Sequence, residues 1–361
     1  MLVVLLKIVL GLWLLRAVNA ALSLVLVPDL APAPRRKDGS PFVSIVVPAR
    51  DEERAVETAT RSKCLQDDPA FEVVVVDDMS SDGTRGILRR LEEEFPGALR
   101  VVDGVEPPPD WLGKPHALDE GTGAAKATRP GEWLVFSDAD VAFAPDLLAR
   151  ALAHAERYRL EFLTLLPRMD ARTPGERLMV PTIPAAAFCY LPGWLMNVPS
   201  ARNFGGGGGV FNLALALDSI SLRMYHGFPE IVKGLEKNGF FGLLGSVPMA
   251  VLVLLLFFLE GVIPWIVPAA GALERLLAGA GGAPAFFTFK EISFSLFILL
   301  AILLVRGVLD LRLRLGLLST VLHPIWVACL TWIFARSTFV NGVRHRNEWR
   351  GRVRDARTLR T

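Results

Sequence analysis

Residues 71–84 read FEVVVVDDMSSDGT, a run of β-branched residues that ends abruptly in Asp77, Asp78 and a turn. Four consecutive valines leave no polar face, so the strand they form is buried on both sides, as in a parallel sheet covered by helices. The same pattern recurs to either side as FVSIVVP (42–48), LRVVD (99–103) and EWLVFSDAD (132–140). Polar helical stretches separate these runs, one from about Gly83 to Phe95 and another near Ala117. Strands alternating with helices predict an open α/β sandwich, a class that binds ligands beyond the carboxyl ends of its strands.

Outward from this domain the chain turns apolar. It is 52% hydrophobic with a mean hydropathy of +0.40, yet 21% of its 361 residues are charged, so the two kinds of residue are segregated along it. Residues 2–27 are long enough to cross a bilayer, which takes about 20 apolar residues, although Lys7 and Arg16 interrupt the run. An uncleaved anchor is favoured over a signal peptide, because no convincing cleavage site precedes Pro28. The linker PDLAPAPRRKDGSP (28–41) then carries Arg35, Arg36 and Lys37, which the positive-inside rule assigns to the cytoplasm, together with the domain that follows. Apolar segments return at about 242–268, 286–305 and 316–335. Three full crossings there would put the last 26 residues, with eight arginines against Glu348 and Asp355, on the far side; one segment is therefore expected to be re-entrant or interfacial. The expected division is an anchor at 1–28, a basic linker at 29–41, an α/β domain at 42–240, membrane segments at 241–336 and a basic cytoplasmic tail at 337–361, in a multi-pass inner-membrane protein. A net charge of +2 argues against a nucleic-acid binder, and Cys64, Cys189 and Cys329 lack metal-ligand spacing, which suits buried thiols in a reducing compartment.

Two acidic turns carry the candidate chemistry. Asp77 and Asp78 follow a buried strand, where carboxylates face the ligand crevice and can accept hydrogen bonds from a base or ribose; equally, with Ser80, Asp82 and Gly83 they can simply form a turn and helix cap. Asp138 and Asp140 also follow an apolar strand, and two carboxylates separated by one residue can share a hard divalent cation that in turn holds a nucleotide diphosphate. The recurrence of the two acidic strand ends about 60 residues apart is more specific than either alone.

With these motifs the chain resembles the family-two glycosyltransferases of the GT-A fold, especially the membrane-bound bacterial branch that includes hopanoid-associated, carotenoid and ceramide glycosyltransferases. VSIVVPARDEE, EVVVVDDMSSDGT, DWLGKPHAL, EWLVFSDADV, RMYHGFPEIVKGLEKN and the terminal WRGR carry the likeness. The resemblance implies that Asp51, Glu52, Asp77 and Asp78 line the nucleotide pocket and that Asp138 and Asp140 bind manganese or magnesium. It puts Lys114 and His116 near the donor and Arg223 and Tyr225 at the diphosphate; the alternatives are a surface loop for the first pair and a headgroup contact for Arg223. The implied partners are a nucleotide-sugar donor, a lipid acceptor and the membrane.

One stretch departs from the family. The acceptor-side segment, whose helix begins with a Glu-Asp pair supplying the general base, is missing: GGGGGVFNLALALDSISLRMY runs from the glycines straight into the strand before Arg223. The catalytic base is thus unassigned, with Asp218, Glu230 and Glu236 the acids left nearby. The run Gly205–Gly209 lacks the lysine and hydroxyl residue of a phosphate loop and reads as a hinge. Residues 175–200 suit either a core or an interfacial surface admitting a lipid. The leading expectation is an inverting transfer from a nucleotide-diphosphate-sugar to a lipid. The alternative is a nucleotide-sugar-binding protein with lost or impaired transfer, since losing the base slows deprotonation about 10²–10⁴-fold. A transporter is disfavoured because the apolar segments show no obvious intramembrane charged site. On the sidedness argument, cysteines introduced near Asp38 and near Thr358 are both expected to stay unlabelled by an impermeant thiol reagent on intact cells. Labelling of the second alone would refute the topology.

Overall fold

A computed structural model of the chain describes residues 2–108, 111–198, 210–242, 245–278, 286–343, 346–349 and 352–355. In chain order the first half comprises α1 (Leu2–Leu26), β1 (Val43–Ala49), α2 (Val56–Cys64), β2 (Phe71–Asp77), α3 (Thr84–Glu94), β3 (Leu99–Asp103), α4 (Gly113–Ala124), β4 (Trp133–Phe136), β5 (Val141–Phe143), α5 (Leu147–Tyr158), β6 (Phe162–Leu166) and β7 (Arg168–Met169). Then come α6 (Pro174–Met179), α7 (Thr182–Ala185), a π-helical turn (Ala186–Tyr190), β8 (Phe211–Leu215), β9 (Ile220–Leu222), α8 (Phe228–Gly242), α9 (Val247–Gly261), α10 (Ile263–Ala278), α11 (Phe289–Arg312), α12 (Leu318–Val321), α13 (His323–Ser337) and a terminal pair β10 (Arg346–Trp349) and β11 (Arg352–Asp355). These divide into an α/β unit, Val27–Asp170 with Leu195–Met224, and a helical unit, Met1–Leu26, Ala171–Trp194 and Tyr225–Thr361.

The α/β unit is built on a parallel sheet in the order β3-β2-β1-β4. Val43, Ile45, Val46 and Val47 of β1 and Val73 to Val76 of β2 are fully buried, as the apolar runs require. Helix α4 lies on β1 and β2 at Gly121: a Cβ there would come within 2.4 Å of Val46 Cγ1 and 3.1 Å of Val76 Cγ2. The amino ends of the strands are tied by a buried carboxylate, Glu72, which accepts from Ser44 Oγ at 2.7 Å and from the Lys126 amide at 2.6 Å. Smaller ladders extend the unit, β5-β9-β7 and β6-β8. Residue 29 joins them through a bridge to Leu215, and the Leu30 amide donates to the Leu215 carbonyl at 2.7 Å.

In the helical unit, Leu6, Val9 and Trp13 of α1 pack on Ile298 and Ile302 of α11. Both helices are long and apolar enough to cross a membrane, and α9 with α10, bent by 43°, pass as a third span if counted together. The segment expected at 316–335 instead forms α12 and α13, of 4 and 15 residues, neither of which is among the candidate spans. The expected domain ran unbroken over 42–240, whereas residues 171–194 and 225–240 belong with the helices. The reason is apolar packing: Met179 of α6 and Ile231 of α8 bury against Trp326, Val327 and Leu330 of α13. The apolar segments also hold charges whose pairing the sequence does not give. Arg16 pairs with Glu260, and buried Arg306 lies 3.7 Å from Asp310 Oδ2, which accepts from Ser319 Oγ at 2.6 Å and Thr320 Oγ1 at 2.7 Å.

The helix-on-sheet contact gives a direct test. Gly121→Ala is expected to lower stability by about 1–3 kcal/mol through overpacking, whereas Gly123→Ala, with open space at its Cβ position, should not destabilise. Thermal midpoints of the two variants compare them.

Candidate functional site

The strand order creates the site. From β1 the chain crosses to β2 on one side and β4 lies on the other, so the order reverses at β1 and a crevice opens beyond the ends of β1 and β4. Arg50, Asp51 and Glu52 leave β1 there, Asp77 and Asp78 end β2, and Asp138 and Asp140 follow β4. The register aligns Ala49 with Asp77, and the Asp78 amide donates to the Ala49 carbonyl at 2.8 Å, which brings the first two acidic loops side by side.

Both loops turn through the left-handed region at residues other than glycine, Asp51 at φ 52° and Met79 at φ 53°. Such conformations cost about 1–3 kcal/mol and persist only where neighbours over-determine them. Here Asp51 Oδ1 accepts from the Ser81 amide at 2.7 Å and Ser81 Oγ at 3.1 Å, while the Asp51 amide donates to Ser80 Oγ at 3.1 Å. The Glu52 amide donates to Thr84 Oγ1 at 2.8 Å. Beneath them Gly104 donates to the Asp77 carbonyl at 3.0 Å, and a Cβ there would lie 3.1 Å from Asp78 Cα.

Asp77, Asp78 and Asp138 each have a basic neighbour. Buried Asp77 accepts from Arg85 Nε at 2.7 Å, and buried Asp78 faces Arg50, whose Nη1 donates to the Asp78 carbonyl at 3.0 Å and lies 3.4 Å from Oδ2. Lys114, in the first turn of α4, reaches Asp138 Oδ1 at 2.5 Å. His116 instead sits 3.6 Å from Glu120 and edge-on to Trp111, so GKPHAL is the start of a helix rather than a loop, and only its lysine meets the Asp138 turn. Burial, then the Asp138 charge, push the Asp140 carboxyl above its usual range.

Beneath Asp140 lies a residue that composition does not single out. Lys63 of α2 is 0% exposed, donates to the carbonyl of Val141 and sits 5.0 Å from the Phe143 ring. Ser62 and Gln66 complete the clip: the Phe143 amide donates to Ser62 Oγ at 3.0 Å, and Gln66 Nε2 donates to the Ala144 carbonyl at 2.9 Å. The strand leaving the acidic turn is thus fixed to α2. Burial pushes the Lys63 ammonium down to about 7, against the pull of Asp140 and Asp138.

Antiparallel pairing of β5 with β9 matches Val141 to Leu222, so Arg223 comes level with Asp140. On the other side of β9, Met169 pairs with Leu222 and the Asp170 amide donates to the Leu222 carbonyl at 2.8 Å, which sets Asp170 at the same level. Tyr225 belongs to the helical unit, where its ring covers Gly234 of α8 and burial pushes its phenol up. The Gly205–Gly209 run lies outside the described residues.

Among the described residues no group of three or more His, Cys, Asp or Glu side chains converges as a metal cage. Asp138 and Asp140 nevertheless fit an ion that takes one or two carboxylates and completes its shell with water and substrate phosphates, the habit of magnesium.

Residues 44–182 match the model of glycosyl transferase family 2. They are a family 2 glycosyltransferase domain. The sheet order and acidic strand ends give this domain the GT-A class that the resemblance implies. The chain is 32% identical over 156 residues to the beta-monoglucosyldiacylglycerol synthase of Synechocystis sp. (strain ATCC 27184 / PCC 6803 / Kazusa), covering 40% of this chain and 31% of that one. It is 31% identical over 125 residues to the protein of the same name in Trichormus variabilis (strain ATCC 29413 / PCC 7937), covering 33% and 25%. It therefore spans less than a third of either relative. Among solved structures, a mannosyltransferase from Pyrobaculum calidifontis in complex with GDP-Man and Mn2+ covers 95% of this chain and 99% of its own, at 20% identity and a TM-score of 0.48.

Arg50, Arg85, Lys63 and Asp170 of this domain escape a sequence reading. Arg50 stands within the quoted PARDEE motif, and its neighbourhood was the one available signal. The Lys63 assignment predicts a sign. An unfolded lysine, near 10.5, binds a proton that the folded one releases above about 7, so folded stability rises with pH across that interval. The thermal midpoint in detergent should climb from pH 7 to about 8.5, and Lys63→Met should remove that climb. An unchanged slope in the variant would refute the assignment.

Proposed function

We propose that this chain is a membrane-associated inverting glycosyltransferase that moves a sugar from a nucleotide-diphosphate-sugar to a lipid acceptor. The observation that carries the reading is the switch-point crevice of a family 2 domain, in which Asp51, Asp78, Asp138 and Asp140 gather at the ends of β1, β2 and β4. Asp51, Glu52, Asp77 and Asp78 serve the nucleoside, its hydroxyl and ring N–H groups matching carboxylate acceptors. Asp138 and Asp140 hold a manganese or magnesium ion, which when bound neutralises charge on the departing diphosphate. Lys114 and Arg223 take the phosphate oxygens. A lipid acceptor is supported by the two glucosyldiacylglycerol synthases among the relatives and by the apolar helices. With α1, the α9–α10 pair and α11 as crossings, the α/β unit and the basic tail fall on one side, the cytoplasmic side of the inner membrane. On this reading the parity difficulty that three C-terminal crossings raise does not arise.

A second reading, donor binding without efficient transfer, has one observation in its favour. β8 and β9 are separated only by residues 216–219, with no helix between them to carry the family's acidic pair. Purified protein screened against UDP- and GDP-sugars with manganese or magnesium and membrane lipid distinguishes the readings. Nucleoside diphosphate release coupled to glycolipid supports transfer; donor binding without release supports the second reading; absence of donor binding overturns both.

Asp138→Ala and Asp140→Ala are each expected to weaken manganese-dependent donor binding at least about tenfold while leaving the thermal midpoint near that of the parent. Calorimetric titration is the measurement, and donor affinity unchanged in both variants would remove the metal assignment.

A further inference from the structure

If the family's base segment is absent, transfer needs another group to take the acceptor's proton. We propose that Asp170 is that group, the general base of the reaction, held in place by Arg168. The inference rests on the transferase reading above.

The β5-β9-β7 ladder carries the argument. Asp140 precedes β5, Arg223 follows β9 and Asp170 follows β7, and the registers Val141↔Leu222 and Met169↔Leu222 put all three in one row at one edge of this small sheet. The row one pleat back, Ala142, Ser221 and Arg168, lines one side of a cavity of about 170 Å³ that Asp218 and Ser219 also border. Residues two apart on a strand share a face. Arg168 confirms this for its own strand, since its Nε donates to Asp170 Oδ1 at 3.1 Å, and both side chains remain over one-third exposed. The Asp170 carboxylate is therefore partly open to solvent and held by Arg168, whose own side chain borders the cavity.

Two strand separations put the Asp170 position about 10 Å across the sheet from Asp140. Asp140 marks the leaving-group end of the row, Arg223 its middle and Asp170 the opposite end. The rival acids fit less well. Ser219 lies level with Ala144, whose amide donates to its carbonyl at 2.7 Å, so Asp218, one residue further on, is displaced from the row by five residues, roughly 17 Å along the chain. Glu230 receives the His226 amide at the start of α8, and Glu236 is ion-paired to Arg336.

In the proposed step the Asp170 carboxylate removes the proton of the acceptor hydroxyl. The acceptor oxygen forms its bond to the anomeric carbon as the bond from that carbon to the diphosphate oxygen breaks, and the electron pair leaves with the diphosphate. Asp170 then returns its proton to water.

The test uses the full-length protein with the donor and lipid fraction that yield product in the screen above. Asp170→Asn should lower kcat about 10²–10⁴-fold with donor affinity, measured by titration in the presence of manganese, unchanged within about threefold; Asp170→Glu should recover part of the rate, and Glu230→Gln should keep most of it. Transfer by Asp170→Asn within tenfold of the parent, or a parallel loss of donor affinity, would overturn the proposal. So would a parent that binds donor but yields no product from any pair, although the donor-site reading would then stand. Absence of donor binding in the parent would sink that reading first, and this proposal with it.

Discussion

The parallel register of β1 against β2 is the constraint from which the site follows. Because Ala49 pairs with Asp77, the two strands stop together, and the loops beginning at Arg50 and Asp78 must diverge from adjacent points. Neither can do so in ordinary extended or helical backbone, and both pass through positive φ at Asp51 and Met79. Asp51 then serves as the fixing point of the second loop by receiving the Ser81 amide and hydroxyl. Both faces of the two strands are buried, so a one-residue slip would leave their apolar runs covered but move Asp77 out of line with Ala49 and part the two loops. The crevice is thus specified by the same valines that make the core.

Charge is handled in a consistent way around that crevice. An acidic surface prepared for a cation and a diphosphate would repel itself without them, and a buried carboxylate without a partner is strongly disfavoured. Asp77 has Arg85, Asp78 has Arg50, Asp138 has Lys114, and Asp140 has the field of Lys63 from below. These partners differ in exposure. Arg85 and Lys114 are about half exposed and can swing toward phosphate oxygens, whereas Lys63 is enclosed and tied to a main-chain carbonyl. We infer a division between basic groups that exchange partners on donor binding and one that keeps the acidic turn in shape.

Strand identity, strand order class and the acidic strand ends were legible from residues 42–140 because continuous β-branched runs and carboxylates at their ends are local signals. Lys63 was not legible, since a lysine in TRSKC reads as a solvated helix face until the contact with β5 buries it. Asp170 escaped for a similar reason: its place beside Arg223 depends on pairing between segments some 50 residues apart. Residues 171–194 and 225–240, read as part of one continuous domain, cluster in the structure with the helical unit, because their apolar content suits either a soluble core or a helical bundle. Only the packing of Met179 and Ile231 on α13 decides between them.

The helical unit poses the opposite problem from the crevice, charge placed where solvent is scarce. Arg16 stacks on Tyr190 at 4.3 Å and Trp13 at 5.2 Å while bonding Glu260, and Arg306 stacks on Trp326 at 4.4 Å beside Asp310. Trp13 and Trp326 both pack against the His323 ring, at 5.8 and 5.3 Å, so the two cations join one ladder of aromatic faces. Apolar contacts alone discriminate weakly between alternative helix pairings in lipid, because tails and leucines are equally oily. A guanidinium with one stacking partner and one acid has few acceptable positions, and its misplacement strands a charge. These pairs therefore give the bundle a register that its Leu- and Val-rich helices could not supply, much as the paired valines and terminal aspartates do for the sheet.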